Sequence, residues 1–341
     1  MLEELLVTPR FNDKIDPILG IWTWEISVYL FLGGLTAGII VFAALALLRQ
    51  NEGQRSFSAD ALALWAPIAL SLGMTTLFLD LEHKLFVFRF YTTLQPTSPM
   101  SWGAWVLIII YPVTILQILS TLRQGYPQVA GIVDRFALGR WVLDLIARFK
   151  RPIAIIAIPS AVALGIYTGI LLSAFNARPF WNSGLLGVLF LVSGLSTAAA
   201  FVILMAKEKA EKHWYVQVDL GLILVELIII ILLLINLATG SQQHLQALAY
   251  LTSLNGYALA FWVLFIGLGL LLPLVVETLE LVREHRVMAL LGPVLVLLGG
   301  YALRHITVNL GQETAWQDYR HEHNPHLLER VKTNYEHGEL K

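Results

Sequence analysis

Eight apolar runs, each long enough to cross a bilayer, dominate the chain and confine most ionisable residues to the segments between them. An apolar helix of about 20 residues spans the hydrocarbon core. Backbone at that depth must satisfy its own hydrogen bonds, which leaves helices or a closed barrel, and continuous apolar runs select helices. The sequence therefore predicts an all-α integral membrane fold. Its spans are Ile26 to Leu48, Ala61 to Leu81, Trp102 to Leu122, Pro152 to Phe175, Gly184 to Met205, Val218 to Leu237, Gly256 to Val276 and Val287 to Leu303. Charged residues are 14% of the 341, against about 25% in a soluble domain, which excludes a typical soluble enzyme and a disordered chain. A net charge of -1 offers no cationic excess to nucleic acid.

Lysine and arginine are unequally divided between the two sets of connections. One set holds 13, including Arg49, Arg55, the run from Arg123 to Arg151, Lys207, Lys209, Lys212, Arg283 and Arg286; the other holds Lys84, Arg89 and Arg178. The positive-inside bias then places both termini outside, away from the cytoplasm. The acidic start, Met1-Leu2-Glu3-Glu4, does not suit a secretory signal, so the first span is expected to be retained. The chain divides into an outer segment 1–25, a four-helix bundle 26–175 with an interfacial loop 123–151, a second bundle 176–310 and an outer tail 311–341. A faint echo between Trp22 to Ala37 and Trp181 to Thr197 suggests that the bundles are parallel repeats. The tail carries four histidines, whose plain reading is a solvated docking segment rather than a metal site.

Ionisable groups within spans are costly, by at least ~2.5 kcal/mol at the bilayer centre, so their positions are informative. Glu25, Asp80, Glu82, His83, Lys84, Arg89, Arg178, Arg304 and His305 fall at the outer ends of five helices. If the second helix continues, Asp80, His83 and Lys84 share one face. Snorkelling explains any single cation or aromatic among these, but the carboxylates point to a ligand pocket where the ends converge. Glu226 lies deep in the sixth span, with Asp219 on the same face and Glu277 and Glu280 at the inner end of the seventh. These could carry protons inward; packing explains Glu226 equally well and the others better.

With no cysteine, the chain holds no ordinary iron–sulfur cluster, and any such centre belongs to a partner. Of nine histidines only His83 and His305 lie near spans, both at outer ends, so no haem-bearing pair across the membrane is expected. The small-residue runs Gly34 to Gly38, Ser193 to Ser196 and Gly299-Gly300 are read as helix packing contacts.

Several motifs together resemble the NrfD/PsrC family. They are Trp22-Thr23-Trp24-Glu25 with Tyr29 to Gly34, Asp80-Leu81-Glu82, Pro96 to Trp105, Tyr167 to Ser173, Arg178-Pro179-Phe180-Trp181-Asn182, and Gly311-Gln312 following Arg304. The resemblance implies a haem-free, quinone-reactive subunit of a respiratory complex in a bacterial-type cytoplasmic membrane. Its ligand would be a menaquinone or ubiquinone. Its partners would be a ferredoxin-like iron–sulfur subunit on the outer face and a molybdopterin catalytic subunit. The site residues it suggests are Tyr29 and Tyr167 as hydroxyl donors, His83 with Asp80 as the proton-exchanging pair and Glu25 as a second acceptor. Arg178 and Arg304 would act through their charge, and Trp102 and Trp22 would wall the ring, although interfacial anchoring suits the tryptophans equally. Asp219, Glu226 and Glu277 would form the inner proton path. An ion-coupled transporter and a purely structural anchor are the rival readings. A transporter would bind its substrate near midplane, whereas these polar residues collect at one interface.

Overall fold

The computed structural model describes residues 20–50, 55–253, 256–283 and 286–314. The N-terminal segment and the histidine-rich tail lie largely or wholly outside them. Among the described residues every regular element is helical, and eight helices are long and apolar enough to span a membrane. In chain order the principal helices are α1 (Trp24–Arg49), α2 (Leu62–Asp80), α3 (Pro99–Gly125), α4 (Ala137–Arg148) and α5 (Lys150–Ser173). There follow α6 (Leu185–Met205), α7 (Lys209–Thr239), α8 (Gln242–Thr252), α9 (Gly256–Arg283) and α10 (Arg286–Glu313). All but α4 and α8 are spans.

Several spans are longer than their apolar runs, α7 and α10 most of all. The helix α7 begins at Lys209 rather than Val218, and α10 ends at Glu313 rather than Leu303. In α10, Arg304, Thr307 and Gln312 are buried, so these polar residues face neighbouring helices and the helix continues through them without presenting charge to lipid. The added turns of α7 instead carry the exposed Lys209 and His213, so there the helix runs on beyond the apolar stretch.

The spans meet through small residues. Where α1 crosses α6, a Cβ built on Gly194 would stand 2.6 Å from the Gly34 carbonyl oxygen, and one built on Gly38 would overlap the Gly194 carbonyl. Only glycine permits this approach, so these residues are the packing contacts their sequence suggests. Around this crossing α1 packs on α2, α5 and α6, and α6 also packs on α7 and α10. One buried apolar cluster gathers α1, α2, α5 and α6 toward the end where α1 stops, and it draws on helices from both sides of residue 175.

The connection between α3 and α5 contains a helix with one strongly apolar face. On α4, Leu138, Trp141 and Leu145 are exposed at helical spacing while Leu143 is buried. That pattern suits a helix lying along a bilayer surface. Arg123, near the end of α3, ties it down by donating to Asp134 at 2.7 Å and to Asp144 at 2.5 Å.

The guanidinium beside Asp134 holds its carboxyl below the ordinary carboxylate range. A depressed pKa contributes stability above the unfolded value and loses it as pH falls through the folded value. Amide exchange in α4, corrected for intrinsic rates, should therefore stay protected from neutral pH down to about 4 and accelerate below it. Arg123→Gln should accelerate it at neutral pH by no more than about fivefold, since exposed ion pairs are screened by water and contribute little.

Candidate functional site

The end of the molecule where α1 begins and α10 finishes holds an apolar cleft of about 480 Å³. Its walls come from α1 (Ile26, Tyr29, Leu30), α2 (Met74, Leu77, Asp80), α3 (Met100, Gly103, Ala104, Leu107) and α5 (Tyr167, Leu171), with Trp22, Val87, Phe90 and Tyr91 closing it. Tyr29 and Tyr167 are each 7% exposed. The polar lining is thus two buried phenols, the Tyr91 phenol and one carboxyl, set in aliphatic and aromatic surface. Burial raises the Tyr91 phenol above its usual value, so it stays protonated and able to donate.

Sequence determines this shape locally. Between α2 and α3 the chain turns through Pro96 to Pro99, fixed by the Trp102 indole donating to the Pro96 carbonyl at 2.6 Å. The Ser101 hydroxyl accepts from the Gln95 amide at 3.0 Å in the same turn. These bonds orient the start of α3 so that Gly103 lies against the Tyr167 ring, where any Cβ would overlap the phenol. Trp102 itself is 42% exposed and outside the lining.

The Trp22 wall is held by the far end of the chain. Gln312 accepts from the Trp22 amide at 2.8 Å and donates to the Trp22 carbonyl at 2.8 Å. Arg178, buried in the loop after α5, donates to the carbonyls of Gln312 and Thr314, each at 2.9 Å. Burial lowers the pKa of Arg178 from its ordinary value. Trp22 also packs on Phe175 and Trp181 at 5.5 and 5.3 Å between ring centroids. Arg178 is therefore a clamp on the chain ends, outside the cleft lining.

Of the residues expected at a shared pocket, Tyr29, Tyr167, Asp80 and Trp22 come together in the cleft. The helix α2 stops at Asp80, and Leu81 and His83 leave helical geometry. The expected single face of Asp80, His83 and Lys84 is consequently not formed: His83 is exposed and packs edge-on to Phe86. Glu25 accepts from the Thr23 hydroxyl at the start of α1 and stands outside the lining. Tyr91 and Gly103 were missed by the sequence reading. Tyr91 sits in a connection, and Gly103, although inside the quoted motif, has no side chain to suggest a role.

Arg304 belongs to a second assembly. It is fully buried and donates to Ser193 Oγ at 2.5 Å and to the Phe190 and Gly300 carbonyls, each at 2.9 Å. The same serine lies against the Glu226 carboxyl. Further along, Ser196 donates to Asp219 at 2.5 Å, and Asp219 meets Glu277, which has Glu280 beside it. Asp219, Glu226 and Glu277 are at most 1% exposed. Oxygens of all four acids, and Arg304 Nε, have no hydrogen-bond partner among the described residues. Buried polar atoms in this condition ordinarily take water or exchange protons. Ser193 and Ser196, read from sequence as packing residues, also supply hydroxyls to this row of buried charges.

The family profile described as "Polysulphide reductase, NrfD" matches residues 12–315. The chain belongs to the NrfD family. It is 29% identical over 308 residues to one of the chains of polysulfide reductase from Wolinella succinogenes, the match covering 86% of this protein and 94% of that one. It is 28% identical over 275 residues to protein NrfD of Escherichia coli, covering 75% and 84%. A selenate reductase subunit from Mesobacillus selenatarsenatis is 26% identical over 357 residues, covering 90% and 80%. Eight spans and this membership together make the chain a multi-pass membrane protein of the NrfD family.

The Gly103–Tyr167 contact should be measurable as a coupling. Gly103→Ala should destabilise the detergent-solubilised chain by ~1–3 kcal/mol, the usual cost of overpacking. In a Tyr167→Ala background the same change should cost far less, as read from thermal unfolding of the four proteins in the cycle.

Proposed function

We propose that this NrfD-family chain is the quinone-reactive membrane subunit of a respiratory reductase complex. The observation that carries the reading is the convergence of Tyr29, Tyr167 and Asp80 on one apolar cleft at a helix-bundle end. A quinone ring exchanges two electrons and two protons. It needs hydrogen-bond donors for its oxygens and a group that gives and takes protons, inside walls that exclude water. The phenols are suited to the first task and Asp80 to the second. Glu25, whose charge acts on Asp80, and the exposed His83 would pass protons to the surrounding water.

The same cleft suits an isoprenoid tail. The spans α2 and α3 touch at few points beside it, and Ser71 bonds the Tyr111 hydroxyl at 3.1 Å deeper in the gap. Above that bond, Phe78 and Met100 line the cleft and are also 40% and 46% exposed, so their apolar surface continues from the pocket toward lipid.

The relatives named as polysulfide and selenate reductase components support a catalytic partner for this chain as well. A ferredoxin-like iron–sulfur subunit and a molybdopterin subunit, docked outside a bacterial cytoplasmic membrane at the cleft end, complete the proposal. Electrons would leave to the cluster-bearing partner, since this chain has no cysteine of its own.

The buried acids Glu226, Asp219 and Glu277 would connect the interior to the opposite face as a proton path. The site of Arg304 abuts Gly34, roughly 7 Å along α1 from Tyr29 at 1.5 Å rise per residue. Proton passage there would work against the membrane potential, at ~2.3 kcal/mol per charge per 100 mV.

In the assembled complex, Asp80→Asn and Tyr167→Phe should each lower quinol-linked electron transfer at least about tenfold, the scale of general acid–base contributions, with subunit stoichiometry unchanged. Full turnover in both assembled variants would remove the cleft from the mechanism. Glu226→Gln should leave quinone turnover intact and abolish proton translocation in proteoliposomes; persistent translocation would exclude the inner path.

A further inference from the structure

The end of α1 opposite the cleft carries a second cavity, of about 430 Å³, that none of the chemistry above uses. It lies roughly 30 Å from Tyr29 at 1.5 Å rise per residue. Three segments build it: Ala46 and Arg49 at the end of α1, Arg55 to Ser58 just before α2, and Glu208 to Tyr215 at the start of α7.

Its charges are arranged unequally. The Arg49 guanidinium lies over the Trp214 ring at 5.4 Å, and Trp214 is held edge-on by Tyr215 at 4.7 Å, itself buried against Phe42 at 5.2 Å. This wall is therefore fixed rather than free to snorkel. The obvious counter-ion is committed elsewhere. Glu211 accepts from the Phe57 and Ser58 amides at 3.0 and 2.8 Å and from the Ser58 hydroxyl at 2.5 Å. Among the described residues both ion pairs belong to Arg123, so neither Arg49 nor Arg55 is in ion-pair contact with a described carboxylate. Glu208 is the remaining acid on the lining, and it is exposed.

Two guanidiniums, the exposed Glu208 carboxylate beside the amide-bound Glu211, and apolar surface from Ala46, Ala210 and Trp214 make a set of complementary features at bilayer-surface depth. We propose that this cavity seats the headgroup of an ammonium-bearing phospholipid, with the phosphodiester between Arg49 and Arg55 and the ammonium at Glu208. Guanidinium forks match phosphate oxygens, and basic pockets between spans at a membrane face are known lipid seats. Glu208 is the feature that selects a zwitterion over an anionic headgroup, because only the zwitterion brings an ammonium to pair with it, whereas a glycerol headgroup offers neutral hydroxyls and leaves the carboxylate uncompensated. The site is independent of the quinone reading, being at the other end of the molecule.

The test is native mass spectrometry of the full-length chain, purified in detergent and supplied with phosphatidylethanolamine, phosphatidylglycerol or inorganic phosphate. Phosphatidylethanolamine should be retained in preference to phosphatidylglycerol. Arg55→Gln, which leaves the Arg49–Trp214 stack intact, should weaken retention of both lipids about fivefold, the effect of one cation near a membrane surface. Glu208→Gln should reverse the preference toward phosphatidylglycerol. Retention unaffected by Arg55→Gln and by Arg49→Gln would overturn the seat. Displacement of lipid by millimolar phosphate would identify a free-anion site instead and refute the lipid assignment. An unchanged lipid ratio in Glu208→Gln would refute the ammonium contact.

Discussion

A guanidinium buried among membrane helices has no water to turn to, so every donor it carries must be answered by protein or left at a cost of kilocalories. The arrangement of this molecule's interior follows from how Arg304 meets that demand. Its donors reach a hydroxyl and a carbonyl on α6 and a carbonyl on α10, while its head rests over the Phe190 ring at 5.1 Å. Such partners require α6 and α10 to approach closely, and on the α1 side Gly34 leaves room for the guanidinium. Glu226 on α7 shares the Ser193 hydroxyl with it. A packing requirement and an electrostatic one are thereby met by the same few helices.

This core places the cleft and the row of buried acids in relation to each other. The cleft is built mainly from α1, α2, α3 and α5, whereas the buried acids lie on α7 and α9. The helix α1 borders both, Tyr29 facing the cleft and Gly34 facing Arg304. Any coupling between the proposed quinone chemistry at one and the proposed proton passage at the other has to cross a short stretch of that helix. At the cleft mouth, Arg178 and Gln312 bind the chain's last span to its first, so the wall formed by Trp22 depends on residues remote in sequence.

Much of this was legible in the amino-acid sequence itself. Eight apolar runs fix eight spans because hydrocarbon tolerates little else, and the clustering of Tyr29, Tyr167 and Asp80 follows from their shared position at helix ends. Two kinds of information were not. Where a span continues past its apolar run, as α10 does through Arg304 and Gln312, the decision rests on whether polar side chains find partners on other helices. Hydropathy along one segment does not contain that. Likewise, Asp80 and His83 share a face only in a continuous helix, and the break after Asp80 separates them. Ser193 and Ser196 show a third limit: a small residue that lets helices approach and one that solvates a buried charge look identical in sequence.

The central claim is that a quinone ring occupies the cleft between Tyr29, Asp80 and Tyr167. Photoaffinity labelling of the native complex with an azidoquinone, followed by peptide mapping, addresses it without altering the protein. The account predicts adducts on the segments bearing Met74, Met100 and Leu107, suppressed by excess unlabelled quinone. Suppressible labelling confined to lipid-facing α7 or to the opposite end of the molecule would contradict it.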